Sequence, residues 1–203
     1  MRRAAIKDYT GNKTSLFACL GASNHSAEER AGYDFYATDP HMAEELCKHV
    51  ELVNVWECAC GAGHLAKVFD KYGLLGRATD IVDRGYGESG VDFLLQTEQW
   101  NGDIVTNPPY KYAQAFIEHA LEIIPRERIV AMFLKLTFLE GKKRQSLFRR
   151  TPPCEVLVSV RRVQCAKNGD FEKYPITGSA AAYAWFVCRK GKNGTPVIRW
   201  FNF

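Results

Sequence analysis

No apolar run in this chain approaches the length that a membrane-spanning helix needs. A transmembrane helix is therefore excluded. The opening residues, Met1 to Asp8, lack the apolar core of a secretory signal, so a cytoplasmic protein is expected. Cysteine pairs with metal-ligand spacing are missing as well. The seven cysteines are an odd number, and Cys19, Cys47, Cys154, Cys165 and Cys188 are scattered. Cys58 and Cys60 are close, but Cys-x-Cys is not a zinc spacing, even with His64 nearby. The expectation is buried, reduced thiols and no metal. Internal repeats and low-complexity segments are also absent, which leaves one ordinary domain for 203 residues that are 46% hydrophobic. Residues 1–33 show little periodicity and read as an irregular arm; residues 34–203 form the body.

The net charge of +4 hides a split. Residues 1–100 hold 10 Lys/Arg against 15 Asp/Glu, a balance of −5; residues 101–203 hold 17 against 8, a balance of +9. A polyanion such as nucleic acid is the natural partner of the second half.

The pattern alternates strands and helices. Thr38 or Asp39 caps a helix that starts near Pro40 and runs to about His49. Val53 to Cys58 reads as a strand, Leu65 to Tyr72 as a helix, and Leu75 to Asp80 as a second strand. Val91 to Leu95 reads as a short third strand and Asp103 to Thr106 as a fourth. Ala113 to Ile124 carries a helical apolar stripe ended by Pro125. Ile129 to Leu136 and Val156 to Val160 are further strands, separated by a basic helix from Leu139 to Arg150. Residues 163–180 read as a loop, and 181–189 with 197–201 as a hairpin around Gly191 to Gly194. The fold class is α/β: a Rossmann-like three-layer sandwich whose mostly parallel sheet ends in a C-terminal antiparallel hairpin.

One stretch organises the rest. Asn107-Pro108-Pro109-Tyr110 follows a buried strand and precedes a helix. Two prolines cannot continue a ladder, so the chain leaves the sheet in a stiff loop. This aims the Asn107 amide and the Pro108 carbonyl outward at the carboxyl end of the strand, where open α/β sheets bind ligands. Two rigid acceptors and an aromatic ring suit a flat, conjugated amino group: the acceptors hold its hydrogens and Tyr110 stacks on its face.

Two further stretches point to a nucleotide-like ligand. Gly61-Ala62-Gly63 turns from a strand ending in Glu57 into a helix, and glycines let backbone approach a ligand closely. Asp80 lies about 20 residues past the glycine turn, the spacing suited to ribose hydroxyls; Asp83 is the alternate.

Asn107 to Tyr110 resembles the catalytic motif of the amino-methyltransferases, above all the compact phage-type DNA adenine-N6 methyltransferases. Glu57 with Gly61 and Gly63 resembles motif I of class I methyltransferases. Asp34 to Pro40 resembles the Phe/Tyr-x-Thr-Pro segment that touches S-adenosylmethionine in that family, with one residue more. Phe133 to Gly141 and Ala182 to Val187 resemble further segments, with Lys135 where many relatives carry Arg and Thr137 where many carry Asn. The resemblance implies S-adenosylmethionine as cofactor, bound by Tyr36, Thr38, Glu57, Gly61, Gly63, Asp80, Asp92, Phe93 and Asn107. In it, Glu57 lies near the methionine ammonium, and Asp92 and Phe93 hold the cofactor adenine; a turn Asp and a core Phe are the competing reading. Asn107, Pro108, Pro109 and Tyr110 are implied to be catalytic for methyl transfer to adenine in DNA. Lys135, Lys142, Lys143, Arg144, Arg161 and Arg162 are expected on phosphates, and Phe171 and Tyr174 on an extruded base. The same motif serves some RNA base methyltransferases and protein glutamine methyltransferases. A catalytically inactive nucleic-acid-binding relative is a further alternative.

Overall fold

The computed structural model describes residues 36–163, 165–167 and 181–201. The arm 1–33 and the aromatic residues Phe171 and Tyr174 lie outside them. In chain order the elements are β1 (Tyr36–Thr38), α1 (His41–His49), β2 (Val55–Glu57), α2 (Ala66–Lys71), β3 (Leu75–Ala78), β4 (Ile104–Thr106), α3 (Ala113–Ile123), β5 (Ile129–Lys135), α4 (Gln145–Arg150), β6 (Glu155–Ser159), β7 (Cys165–Lys167), β8 (Tyr183–Arg189) and β9 (Val197–Phe201).

Seven strands form one sheet in the order β3-β2-β4-β5-β8-β6-β9. The run β3-β2-β4-β5 is parallel. Strand β8 is antiparallel to both neighbours, and β9 pairs with β6 in parallel. This is the expected Rossmann-like sandwich, a mixed sheet that is mostly parallel with antiparallel C-terminal pairing. The two C-terminal strands do run in opposite directions, but they are not bonded to each other, because β6 lies between them.

Alternation along the central strands explains the three layers. On β5, Val130, Met132 and Leu134 join the core under α3, while Ile129, Ala131 and Phe133 join the core under α1 and α2. A strand covered on both faces reads as a continuous apolar run, which is what 129–134 is. Helix α1 begins where Asp39 accepts the His41 backbone N–H (3.0 Å), and it is tied down by the Trp185 indole N–H, which donates to the Met42 carbonyl (2.9 Å).

Asp103 joins the strands at their other end. Its carboxylate accepts from the Val53 backbone N–H (2.6 Å) and from the Ile129 backbone N–H (2.7 Å), and the residue is 1% exposed. Burial raises its pKa, and the two backbone donors oppose that rise. Asp103→Ala leaves two buried N–H groups unpaired. It should destabilise the fold by about 2–4 kcal/mol, seen as a lower denaturant midpoint at unchanged slope.

Three segments differ from expectation. Residues 91–95 form no strand; Phe93–Leu95 is a 3-10 turn, because the Asp92 carboxylate captures the Leu94 backbone N–H (3.0 Å) and curls the chain. The basic segment is not one helix. A 3-10 turn over Lys142–Arg144 precedes the short α4, after Gly141 takes a positive φ of 106°. Within 163–180, residues 165–167 are β7, paired antiparallel with β1.

Candidate active site

The chain leaves β2 toward β3 on one side and leaves β4 toward β5 on the other. Such a switch opens a crevice between the carboxyl ends of two strands. Here those strands end in Glu57 and in Asn107, and Trp56 pairs with Ile104 in register. Adjacent strands lie about 4.8 Å apart, so the two residues flank the same crevice.

Glu57 is 2% exposed. Its carboxyl accepts from the Ala66 backbone N–H, and its Oε2 is buried with no hydrogen-bond partner. Burial pushes its pKa well above the carboxylate range; the Ala66 N–H opposes this, and nearby Asp80 adds to it. Asp80 closes the glycine turn. Its Oδ2 accepts from the Gly61 N–H (2.8 Å) and its Oδ1 from the Val82 N–H (2.9 Å). Each carboxylate oxygen has a second lone pair, so Asp80 can still accept from a hydroxyl. Gly61 and Gly63 both have positive φ, 55° and 79°. A Cβ on Gly63 would stand 2.4 Å from the Tyr86 ring, so the close approach that glycine permits there is to Tyr86.

Asn107 is held by its amide nitrogen. The Nδ2 group donates to the Thr38 hydroxyl (2.8 Å) and to the Tyr36 carbonyl (3.1 Å). A flipped amide would set its oxygen against the Tyr36 carbonyl, which can only accept, so that contact fixes the orientation. Its Oδ1 is left buried and without a hydrogen-bond partner. The site therefore holds two unmet buried acceptors on neighbouring strands, Glu57 Oε2 and Asn107 Oδ1. A guest bearing a cation or N–H donors would meet both. Tyr36 and Thr38 are thus at the site, and their described contacts brace Asn107. The sequence does not disclose that brace, since it spans 71 residues to Tyr36 and 69 to Thr38.

Beyond Asn107, Pro108 is buried and Pro109 half-buried, and Tyr110–Tyr112 is a 3-10 turn closed by the Tyr112 N–H on the Pro109 carbonyl (2.8 Å). The Lys135 ammonium lies 5.3 Å from the centre of the Tyr110 ring, and the Tyr183 ring lies 6.3 Å away at 36°. Lys135, at the end of β5, therefore lies beside the loop that follows β4.

Three expected site residues are used otherwise. The Phe93 ring is 2% exposed and packs against Trp56, Phe116 and His119, at 5.3, 4.9 and 5.0 Å between centroids. It is a core side chain, which corrects its expected place on a ligand face; Asp92, half-buried, caps the turn. The Arg144 guanidinium donates to the carbonyls of Phe138, Glu140 and Thr137 and lies 4.7 Å over the Phe138 ring. It braces its own loop and is not a free phosphate contact. Lys142, Lys143, Arg161 and Arg162 are exposed. Arg161 and Arg162 follow β6, whose carboxyl end shares the sheet edge of β4 and β5. Among the described residues no group of three or more His, Cys, Asp or Glu could hold a metal. Burial pushes the Cys60 and Cys188 thiols up to about 12, so neither is a thiolate at neutral pH.

The sheet and its layers are those of a class I methyltransferase fold. The solved structures it resembles include the EcoKI type I restriction enzyme M protein (TM-score 0.56, 12% identity, 84% of this chain and 49% of that one). A Listeria monocytogenes protein assigned to the class I S-adenosylmethionine-dependent methyltransferases is also similar (TM-score 0.53, 11% identity, 81% of this chain and 62% of that one). So is the type IIG restriction endonuclease BpuSI (TM-score 0.53, 15% identity, 85% of this chain and 27% of that one). This chain thus spans less than two thirds of each. No family model and no curated protein matches the sequence.

Proposed function

We propose that the protein transfers a methyl group from S-adenosylmethionine to the 6-amino group of adenine in DNA. The observation that carries this reading is Asn107: a buried amide oxygen without a partner, at a loop stiffened by two prolines, its nitrogen held by Thr38 and Tyr36. When bound, the cofactor supplies an electrophilic methyl on a sulfonium. Glu57 Oε2 would take its methionine ammonium, and Asp80 its ribose hydroxyls.

The chain's own part is to prepare the amine. Its lone pair is delocalised into the ring, so the nitrogen is a weak nucleophile. Asn107 Oδ1 and the Pro108 carbonyl would accept its two hydrogens and favour a more tetrahedral nitrogen. Tyr110 would lie against the ring of a base swung out of the helix, offsetting part of the unstacking cost. The nitrogen would gain the methyl as the S–CH3 bond breaks, its electron pair staying on sulfur as a neutral thioether, and would then shed a proton to solvent. Preorganised dipoles and orientation supply the barrier lowering.

The basic second half supports DNA as the partner. The test is incubation with labelled S-adenosylmethionine and, in parallel, DNA, RNA and protein, followed by mass spectrometry of nucleosides and peptides. Label in N6-methyladenine of DNA is the expected result. Label in RNA or in protein glutamine would move the acceptor and keep the chemistry. Cofactor binding with no label in any acceptor would favour an inactive nucleic-acid-binding protein, and no cofactor binding would overturn the proposal.

A further inference from the structure

The segment leaving the carboxyl end of β5 forms an open groove that the crevice does not use. Its volume is about 580 Å3, and it is lined by Leu139, Gly141, Lys142, Gln145, Phe148 and Arg149. The floor is apolar. Leu139 is 43% exposed, and half-buried Phe148 is fixed edge-on against Phe138, 5.9 Å away at 87°. The rim is cationic. Lys142 and Arg149 are exposed, and neither has a hydrogen bond or ion pair among the described residues. Their neighbours differ: Arg144 is committed to three carbonyls, and Arg150 pairs with Glu118 (3.0 Å). The Arg144 brace fixes the turn around Gly141, so the wall of the groove is preformed.

An apolar floor between unpaired cations matches one kind of guest. A row of carboxylates would answer the charges and leave Leu139 and Phe148 uncovered. A nucleotide answers both, with a flat base for the floor and phosphates for the rim. We infer that this groove holds one nucleotide of an unpaired stretch of nucleic acid, its base over Leu139 and Phe148 and its flanking phosphates on Lys142 and Arg149. The inference deepens the nucleic-acid reading above and rests on it. It gives the strand a second hold on the segment that leaves the catalytic edge, at a point that recognises no particular sequence.

The experiment is fluorescence anisotropy of a labelled single strand with the full chain, over a salt series and without any methyl donor. The Lys142→Ala/Arg149→Ala double variant should flatten the slope of log affinity against log salt by about 1.4, near 0.7 per lost phosphate contact on a single strand. Leu139→Glu, which puts a like charge among the phosphates, should weaken binding about tenfold or more, in the range that loss of a stacked base produces. Calorimetric binding of S-adenosylmethionine should be unchanged in all variants, which shows that they are folded. An unchanged slope in the double variant overturns the inference. So does competition by polyglutamate that matches competition by unlabelled strand, because an acidic peptide would then be the occupant. Intact strand binding with no methyl transfer would sink the catalytic proposal and leave the groove standing, so the two failures are distinguishable.

Discussion

Asn107→Ala should bind S-adenosylmethionine much as the parent does and transfer methyl groups about 100- to 1,000-fold more slowly, the usual loss when one preorganised polar group is removed from a transition state. The reasoning is local. Alanine removes the unmet Oδ1 acceptor, and it leaves Glu57, Asp80 and the glycine turn untouched. It also strips the Thr38 hydroxyl and the Tyr36 carbonyl of their donor. Single-turnover rates with equilibrium cofactor binding separate the two effects, and full activity in the variant would refute the role given to Asn107. Thr38→Val provides the companion measurement. It keeps the side-chain shape and removes one of the two bonds that aim the amide. Its kcat should fall about tenfold, since misaimed groups lose rate rather than affinity, and Thr38→Ser should restore it.

Glu57→Gln is the second large effect, and it works in opposite directions on folding and on binding. In the folded protein burial holds the Glu57 pKa well above its ordinary 4.5. Between those two values the folded state carries a proton that the unfolded chain has lost, so by linkage stability falls as pH rises through that window. Glutamine cannot ionise and removes that fall. The cofactor-free variant should therefore show a flatter dependence of melting temperature on pH above 4.5 than the parent. Its affinity for S-adenosylmethionine should drop about 10- to 150-fold, the worth of a charge-assisted hydrogen bond. In the parent, at a pH inside that window, arrival of an ammonium at Glu57 should expel a proton, and calorimetry in buffers of different ionisation heat reads that release directly. Equal affinity in parent and variant would remove Glu57 from the cofactor site.

What could be read from residues alone is what local chemistry decides. Two prolines after a buried strand make a stiff exit wherever the chain folds, so the turn over Asn107 to Tyr110 was legible. Glu57 and Asp80 end strands that their own apolar residues announce. The Val91 to Leu95 run misleads because five mostly apolar residues suit a strand, while a single hydrogen bond from Leu94 to Asp92 decides for a turn. Arg144 misleads for a related reason. Its charge suggests phosphate, but three nearby carbonyls claim it first. The partners of β8 and β9 were beyond reach, since register between strands far apart in sequence is settled by packing on both faces. The brace on Asn107 depends on β1 lying against the loop that follows β4, and no periodicity reports that.

The placement of β8 has a consequence for how the molecule is made. It is the sixth of the sheet's seven strands in chain order, and it wedges between β5 and β6, with Ile129 opposite Arg189 and Lys135 opposite Tyr183. Until residue 189 has emerged from the ribosome, both flanking strands present bare rims, and the nascent chain must be kept from sticking to others through them. Closure is a late, long-range event, which predisposes this chain to slow maturation and a dependence on chaperones.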